Sequence, residues 1–303
     1  MQKELLLKIA SHPKIRQFVS ESKLTRKMVN RFVAGEDLDH AILVARNLNK
    51  DGKRVSLDYL GESVTRGIET QKPLMQYLEM LSVIQKQNLD ANVSLKLTQL
   101  GLGIDNNLCE ENLKKILEKA AEYNNFVRID MESSRYTEDT LGIFYKVFDQ
   151  YKNVGPVIQA YLYRSQSDVR KLIEKKAKVR LCKGAYMEKP NVAFPKKAQV
   201  DANYTVLTGR LLRWGNFPGI ATQDEFIINH AKKFTNLMGI AKDQFEFQML
   251  YNIRKDLQDQ LVEQGYGIRV YAAFGEDWYP FFTRRLAERP ANLLFLLKNV
   301  LKY

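Results

Sequence analysis

Two cysteines and three histidines are all that 303 residues supply of the usual metal-binding and cross-linking side chains. Cys109 and Cys182 are far apart and form no CxxC pattern, which excludes a disulfide framework and argues against a cysteine zinc site. His12, His40 and His230 are scattered, and no metal site is expected from them. Few thiols in no pairing pattern fit a reducing, cytoplasmic setting. No apolar run approaches the roughly 18–20 residues of a membrane span. The opening segment, MQKELLLKIASHPKIRQF, is too short and interrupted in its apolar stretch to be a secretory signal. Eight prolines and sixteen glycines are too few for a collagenous or low-complexity chain. Glycine-rich phosphate loops of the Rossmann and P-loop kinds are absent, as is a G-x-S-x-G elbow. GLGIDNN (101–107) has the wrong spacing and reads as a loop.

What the chain has in excess is positive charge, +12 from 47 basic and 35 acidic residues. Such an excess suits nucleic acid, an anionic membrane surface or an anionic small ligand. Its distribution narrows the choice. Residues 1–35 carry eight basic residues against Glu4 and Glu21, which is half of the total excess. Apolar residues recur there at helical spacing (Leu5, Leu6, Ile9; Ile15, Phe18, Val19; Met28, Val29, Phe32), predicting short basic helices in an arm over residues 1–50. The arm fits two readings: a solvated helical extension, or one that docks on a membrane surface or partner. Aromatics are not interleaved with Lys and Arg in one patch, so no nucleic-acid partner is expected.

From about residue 52 the pattern changes. Eight short β-branched runs, at 54–62, 92–99, 126–132, 156–162, 178–186, 218–224, 245–251 and 268–275, alternate with amphipathic helical stretches. Strands alternating with helices predict a parallel sheet, and eight such units in about 250 residues favour a (β/α)8 barrel over an open sheet, here residues 51–303. The stretch 187–203, with Pro190 and Pro195, reads as a long loop over the active face.

Barrel chemistry sits at the C-terminal strand ends. Strands buried on both faces should be nearly all apolar, yet polar groups recur late in these runs: Asp58, Glu62, Lys96, Asp130, Glu132, Gln159, Arg180, Lys183, Thr222, Asp224 and Tyr271. Any one of them suits a satisfied structural role. A ring of them at one edge is the form a ligand site takes. Beyond the last strand, Phe281, Arg284, Arg285 and Glu288 share one face of a helix. Paired arginines there suit a carboxylate or a phosphate, and equally a surface Arg–Glu pairing. These features by themselves admit a barrel oxidoreductase or a lyase acting on a small anionic ligand.

Taken together, KVRLCKGAY, VSLKLTQLG, FVRIDME, GIATQDE, FEFQMLYN and RVYAAFGEDWYPFFTRRLAERPAN resemble proline dehydrogenase, over about residues 56–299, and in its monofunctional bacterial form. The length leaves no room for the aldehyde dehydrogenase domain of bifunctional relatives. The resemblance implies a distorted barrel that holds FAD at its C-terminal face and oxidises L-proline to pyrroline-5-carboxylate. It implies electrons passed to a quinone, and a product consumed by pyrroline-5-carboxylate dehydrogenase. The fold would be cytoplasmic or peripheral on the inner face of the membrane. Carried over by motif, Arg284, Arg285 and Lys96 bind the proline carboxylate, Asp130 orients these cations, and Tyr186, Leu250 and Tyr271 wall the substrate ring. Gln159, Arg180, Cys182, Lys183, Gly184, Ala185, Thr222 and Gln223 line the flavin. Glu288 pairs with an arginine or a flavin group.

Three positions depart from the resembled pattern. Gln223 stands where relatives commonly carry His, Cys182 where Val is commoner, and Phe281 where many have Tyr. Tyr271 occupies a position that is smaller in hydroxyproline-oxidising relatives, which favours proline itself. The clamp assignment predicts that Arg284→Lys or Arg285→Lys raises the proline KM far more than it lowers flavin content, because charge is kept while the bidentate fork is lost. An unchanged KM in both variants removes these arginines from the clamp.

Overall fold

The computed structural model describes residues 32–61 and 64–287, with the side chains of 284–287 excepted. The expected basic helices of residues 1–31 lie outside the described residues. Eight parallel strands close into a barrel in sequence order: β1 (Arg54–Tyr59), β2 (Ala91–Leu95), β3 (Val127–Ile129), β4 (Val154–Gln159), β5 (Arg180–Cys182), β6 (Gly219–Ala221), β7 (Glu246–Leu250) and β8 (Ile268–Phe274). The predicted strand segments thus form the eight staves of a (β/α)8 barrel.

Alternation along the strands sorts the chemistry. One set of side chains, including Val55, Leu57, Val93, Leu95, Val127, Ile129, Leu181, Ile220, Phe247 and Val270, faces the surrounding helices and belongs to one continuous apolar core. The other set faces the barrel axis and is polar: Ser56 and Asp58, Asn92 and Ser94, Arg128 and Asp130, Arg180, Glu246 and Gln248. Barrel interiors are usually filled by branched apolar residues in layers. Here the fill is a hydrogen-bonded network, so the polarity seen at the strand ends continues to the barrel floor.

Nine helices are described. They are α1 (Leu38–Lys50), α2 (Gln71–Lys86), α3 (Asn106–Glu122), α4 (Thr137–Phe148), α5 (Ser165–Glu174), α6 (Lys197–Trp214), α7 (Glu225–Met238), α8 (Lys255–Glu263) and α9 (Trp278–Ala287). Side-chain caps start several of them, as each Asp accepts backbone N–H groups of the first turn that would otherwise be orphaned. Asp37 caps α1, Asp105 caps α3 and Asp224 caps α7. Helix α6 begins at Lys197, so the loop expected over 187–203 ends earlier.

The packing of the barrel starts before residue 50, where the arm was expected to end. Helix α1 precedes β1 and packs against both β1 and β8, burying Ala41, Ile42 and Ala45 in the main core. Upstream of it, Val33 bridges Ala273 of β8. Helix α1 thereby fills the groove between the last and first strands, where the crossover helix following β8 would pack in a regular barrel. Helix α9 instead follows β8 to the C-terminal face, where Phe281 stacks on Tyr271 at 6.4 Å between ring centroids. This is the distortion of the barrel.

Candidate active site

A cavity of about 500 Å³ opens at the C-terminal ends of the strands, within the range of small-ligand sites. The structure brings to it Lys96, Asp130, Gln159, Arg180, Cys182, Lys183, Gly184, Ala185, Tyr186, Thr222, Gln223, Leu250 and Tyr271, along with Phe281. Arg284 and Arg285 lie on α9, the helix that contributes Phe281; Glu288 lies outside the described residues, as does Glu62. Met131, Val157, Ala221 and Met249 complete apolar stretches of the wall.

Arg180 organises the cavity floor. From β5 its guanidinium reaches across the barrel axis to four other strands. Nε donates to Gln248 Oε1 at 2.5 Å, one terminal nitrogen donates to Asp130 Oδ1 at 2.9 Å and Ser94 Oγ at 3.0 Å, and the other donates to Ser56 Oγ at 3.0 Å. Gln248 passes the network on, donating to Glu246 Oε1 at 2.6 Å. That carboxylate also accepts from Arg269 at 2.7 Å. Burial works against the charge on Glu246, but Arg269, Gln248 and Arg54 hold its carboxyl below the usual range.

Asp130 is the junction between floor and wall. Oδ1 accepts from Ser94 and Arg180, while Oδ2 accepts from the Tyr271 hydroxyl at 2.8 Å. Burial, then the carboxylates of Asp130 and Asp58, push the Tyr271 phenol well above its ordinary value. It therefore stays neutral and donates. Its ring lies under the Arg180 guanidinium at 5.3 Å and against Phe281, so one tyrosine is fixed by a hydrogen bond, a cation and an aromatic face.

Lys96, just past β2, is buried and its Nζ donates to both oxygens of Asp58, at 2.8 and 2.9 Å. Asp130 Oδ2 lies 3.9 Å away. Burial pushes the Asp58 carboxyl up to about 6; Lys96 pulls it down and Asp130 pushes it up. The cations read from the strand ends are thus matched by acids: Lys96 by Asp58, Arg180 by Asp130, and Lys183 by Asp201 at 2.6 Å and Asp224 at 2.8 Å.

The loop after β5 supplies the remaining wall. It carries Ala185 and Tyr186 and is pinned where Glu188 accepts from the Ser134 backbone N–H at 2.7 Å and from its hydroxyl. The chain enters this loop at Gly184 with φ +112°, and a Cβ there would stand 2.3 Å from the Tyr161 ring. Both facts demand glycine. Just past the neighbouring strand β6, Gln223 buries its side-chain oxygen without a hydrogen-bond partner among the described residues. A buried acceptor of this kind calls for a donor from outside the protein.

Sequence reasoning placed Asp58 at a strand end but assigned it no role, and passed over Ser56, Ser94 and Gln248 altogether. The signal was present as strict alternation in RVSLDY, NVSLK and the EFQM part of EFQML. From the geometry of the loop, Gly184→Ala is expected to cost about 1–3 kcal/mol of stability through backbone strain alone. Denaturant unfolding checks this, and a variant as stable as the parent would show that the loop readjusts without cost.

A sequence model of the proline dehydrogenase family matches residues 41–298. The chain is 40% identical over 294 residues to proline dehydrogenase 2 of Bacillus subtilis (strain 168), covering 94% of this chain and 97% of that one. It is 38% identical over 307 residues to the proline dehydrogenase of Deinococcus radiodurans, covering 100% of this chain and 98% of that one. Among solved structures it resembles proline utilization A (PutA) from Bdellovibrio bacteriovorus, inactivated by N-propargylglycine. The TM-score is 0.80 and the identity 26%, over 86% of this chain and 32% of that longer one. With a barrel whose strand-end residues converge on one cavity and near-complete matches to single-domain bacterial relatives, the chain belongs to the proline dehydrogenase family, in its monofunctional bacterial form.

Proposed function

We propose that this protein oxidises L-proline to pyrroline-5-carboxylate, with FAD bound in the barrel mouth and a quinone as the final electron acceptor. The observation that carries the reading is the single cavity that joins a buried Lys–Asp–Arg–Tyr cluster to an apolar, glycine-entered wall. The residues suit a flavin. Gln223 offers an acceptor that lacks a donor, and a flavin ring and its side chain carry N–H and O–H groups. Gly184 and Ala185 let the backbone come close, and Met131, Val157, Ala221 and Met249 offer apolar surface to a flat ring. Gln159, Arg180, Cys182, Lys183, Thr222 and Gln223 would hold the group, and Glu288 is proposed to pair with an arginine or a flavin group.

When bound, FAD would supply the capacity to accept a hydride from the substrate carbon next to nitrogen. The protein's contribution is orientation. A zwitterionic amino acid needs cationic contacts for its carboxylate, here Arg284, Arg285 and Lys96. Tyr186, Leu250 and Tyr271 wall its ring. The amine must be neutral when the hydride leaves, and the nearby acids are already engaged: Asp58 by Lys96, and Asp130 by Arg180 and Tyr271. Because Asp130 compensates Arg180, and Asp201 and Asp224 compensate Lys183, the excess positive charge that meets the substrate carboxylate is assigned to the α9 arginines.

The basic arm, residues 1–35, is proposed to touch an anionic membrane surface, where a quinone would be met. No helix among the described residues is long and apolar enough to cross a membrane. The product is proposed to pass to a separate pyrroline-5-carboxylate dehydrogenase. Two experiments test these readings. Anaerobic L-proline added to FAD-loaded protein should bleach the flavin spectrum; bleaching by another amino acid but not by proline would redirect the substrate assignment. Anionic vesicles should co-sediment the full chain more strongly than a chain lacking residues 1–31, and equal sedimentation would remove the arm from the account.

A further inference from the structure

We infer that Asp58 is a positioning residue for Lys96, holding its ammonium at the edge of the cavity where a substrate carboxylate arrives. The inference rests on the reading above in which Lys96 meets that carboxylate. Asp58 itself is fully buried and is absent from the cavity lining, so its effect would run through the lysine.

The register places the pair. Asp58 stands opposite Ser94 on β2 and Ala273 on β8. Lys96, two residues beyond Ser94, comes off the same inward face one step nearer the mouth. A lysine side chain has four rotatable bonds, and fixing it costs about 2 kcal/mol of rotamer entropy. An ammonium has three donors, and Asp58 engages two of them through both of its oxygens. That bidentate grip sets the direction of the stem as well as the position of Nζ. Asp130 cannot take over the task. Its Oδ2 is 3.9 Å from Nζ and accepts the Tyr271 hydroxyl, while its Oδ1 serves Arg180 and Ser94.

Asp58 also places negative charge directly beside the buried ammonium. A buried ammonium without a carboxylate beside it shifts toward the neutral amine. Among the described residues, the titratable groups that face the pair are Asp130, with Arg180 beyond it, and the phenols of Tyr271 and Tyr77. Removing Asp58 would therefore leave Lys96 less directed and with less negative charge close to its ammonium.

The test is a mutant cycle on FAD-loaded protein with two readouts besides turnover: flavin content, and the dissociation constant of an unreactive five-membered-ring carboxylate followed by its perturbation of flavin absorbance. Asp58→Ala should keep its flavin and bind the ring carboxylate about tenfold more weakly, the scale of a lost charge-assisted hydrogen bond. Asp58→Asn, which retains one acceptor oxygen, should lose less. The proline KM should rise by a similar factor while kcat changes less. In a Lys96→Met background, Asp58→Ala should add less than about twofold. It should also raise the melting temperature relative to Lys96→Met alone, because it removes a buried carboxylate left without its partner.

Binding that is unchanged or tighter in Asp58→Ala would overturn the inference, since Asp58 would then be competing with the substrate for the lysine. An undiminished Asp58→Ala effect in the Lys96→Met background would overturn it too. If Lys96→Met alone leaves ring-carboxylate binding intact, the failure lies in the assignment of Lys96 itself. Should Asp58→Ala lose its flavin, the Asn variant carries the same cycle.

Discussion

A guanidinium placed on the axis of a closed barrel must find acceptors on the strands around it, because an uncompensated buried charge costs several kcal/mol. Arg180 meets that requirement with Ser56, Ser94, Asp130 and Gln248, drawn from β1, from β2, from the end of β3 and from β7. Each of these partners is then constrained in turn. Asp130 is held so that its second oxygen is presented to Tyr271; Gln248 is held between Arg180 and Glu246; Gly219 lacks a side chain where Gln248 passes, since a Cβ would lie 2.4 Å from its amide nitrogen. The floor of the cavity is therefore a connected network. Such networks rigidify when every member is satisfied.

The second constraint is where the helices go. A regular barrel places a crossover helix after every strand, and the eighth would pack between β8 and β1. Here α1, which precedes the first strand, fills that groove with Ala41, Ile42 and Ala45. The helix after β8 is released from the outer ring and brings Phe281 onto Tyr271 at the mouth. The same exchange that distorts the barrel supplies the face of the cavity formed by Phe281, and Arg284 and Arg285 follow in the same helix.

The electrostatics of the cavity follow from pairing more than from total charge. The chain carries +12, but the cations that line the cavity with described side chains are each set against carboxylates. Burial pushes Asp58 up, toward neutrality, while Lys96 opposes it; Tyr271 is kept protonated by burial and by its acidic neighbours. These opposed effects leave a site that is polar, ordered and close to neutral before any ligand enters.

Much of this was legible in the residues. Eight β-branched runs separated by amphipathic stretches can bury their apolar faces only in a parallel sheet ringed by helices, and polar residues late in those runs marked the functional edge. Alternation in RVSLDY and EFQML even encoded a polar interior, though it is read as such only once the barrel is known to close. Asp58 shows the limit: in the sequence it is one acid among 35 acidic residues, and nothing local says that a lysine 38 positions later donates to both its oxygens. Nor could spacing say that α1, drawn into an arm by its place near a basic N-terminus, would pack on β8. The sequence by itself determined the strands and the edge where chemistry collects, because these follow from periodicity and local propensity. The tertiary structure decided which acid meets which cation and which helix leaves the ring, because those depend on contacts between residues as much as 240 positions apart, such as Val33 and Ala273, brought together only by barrel closure.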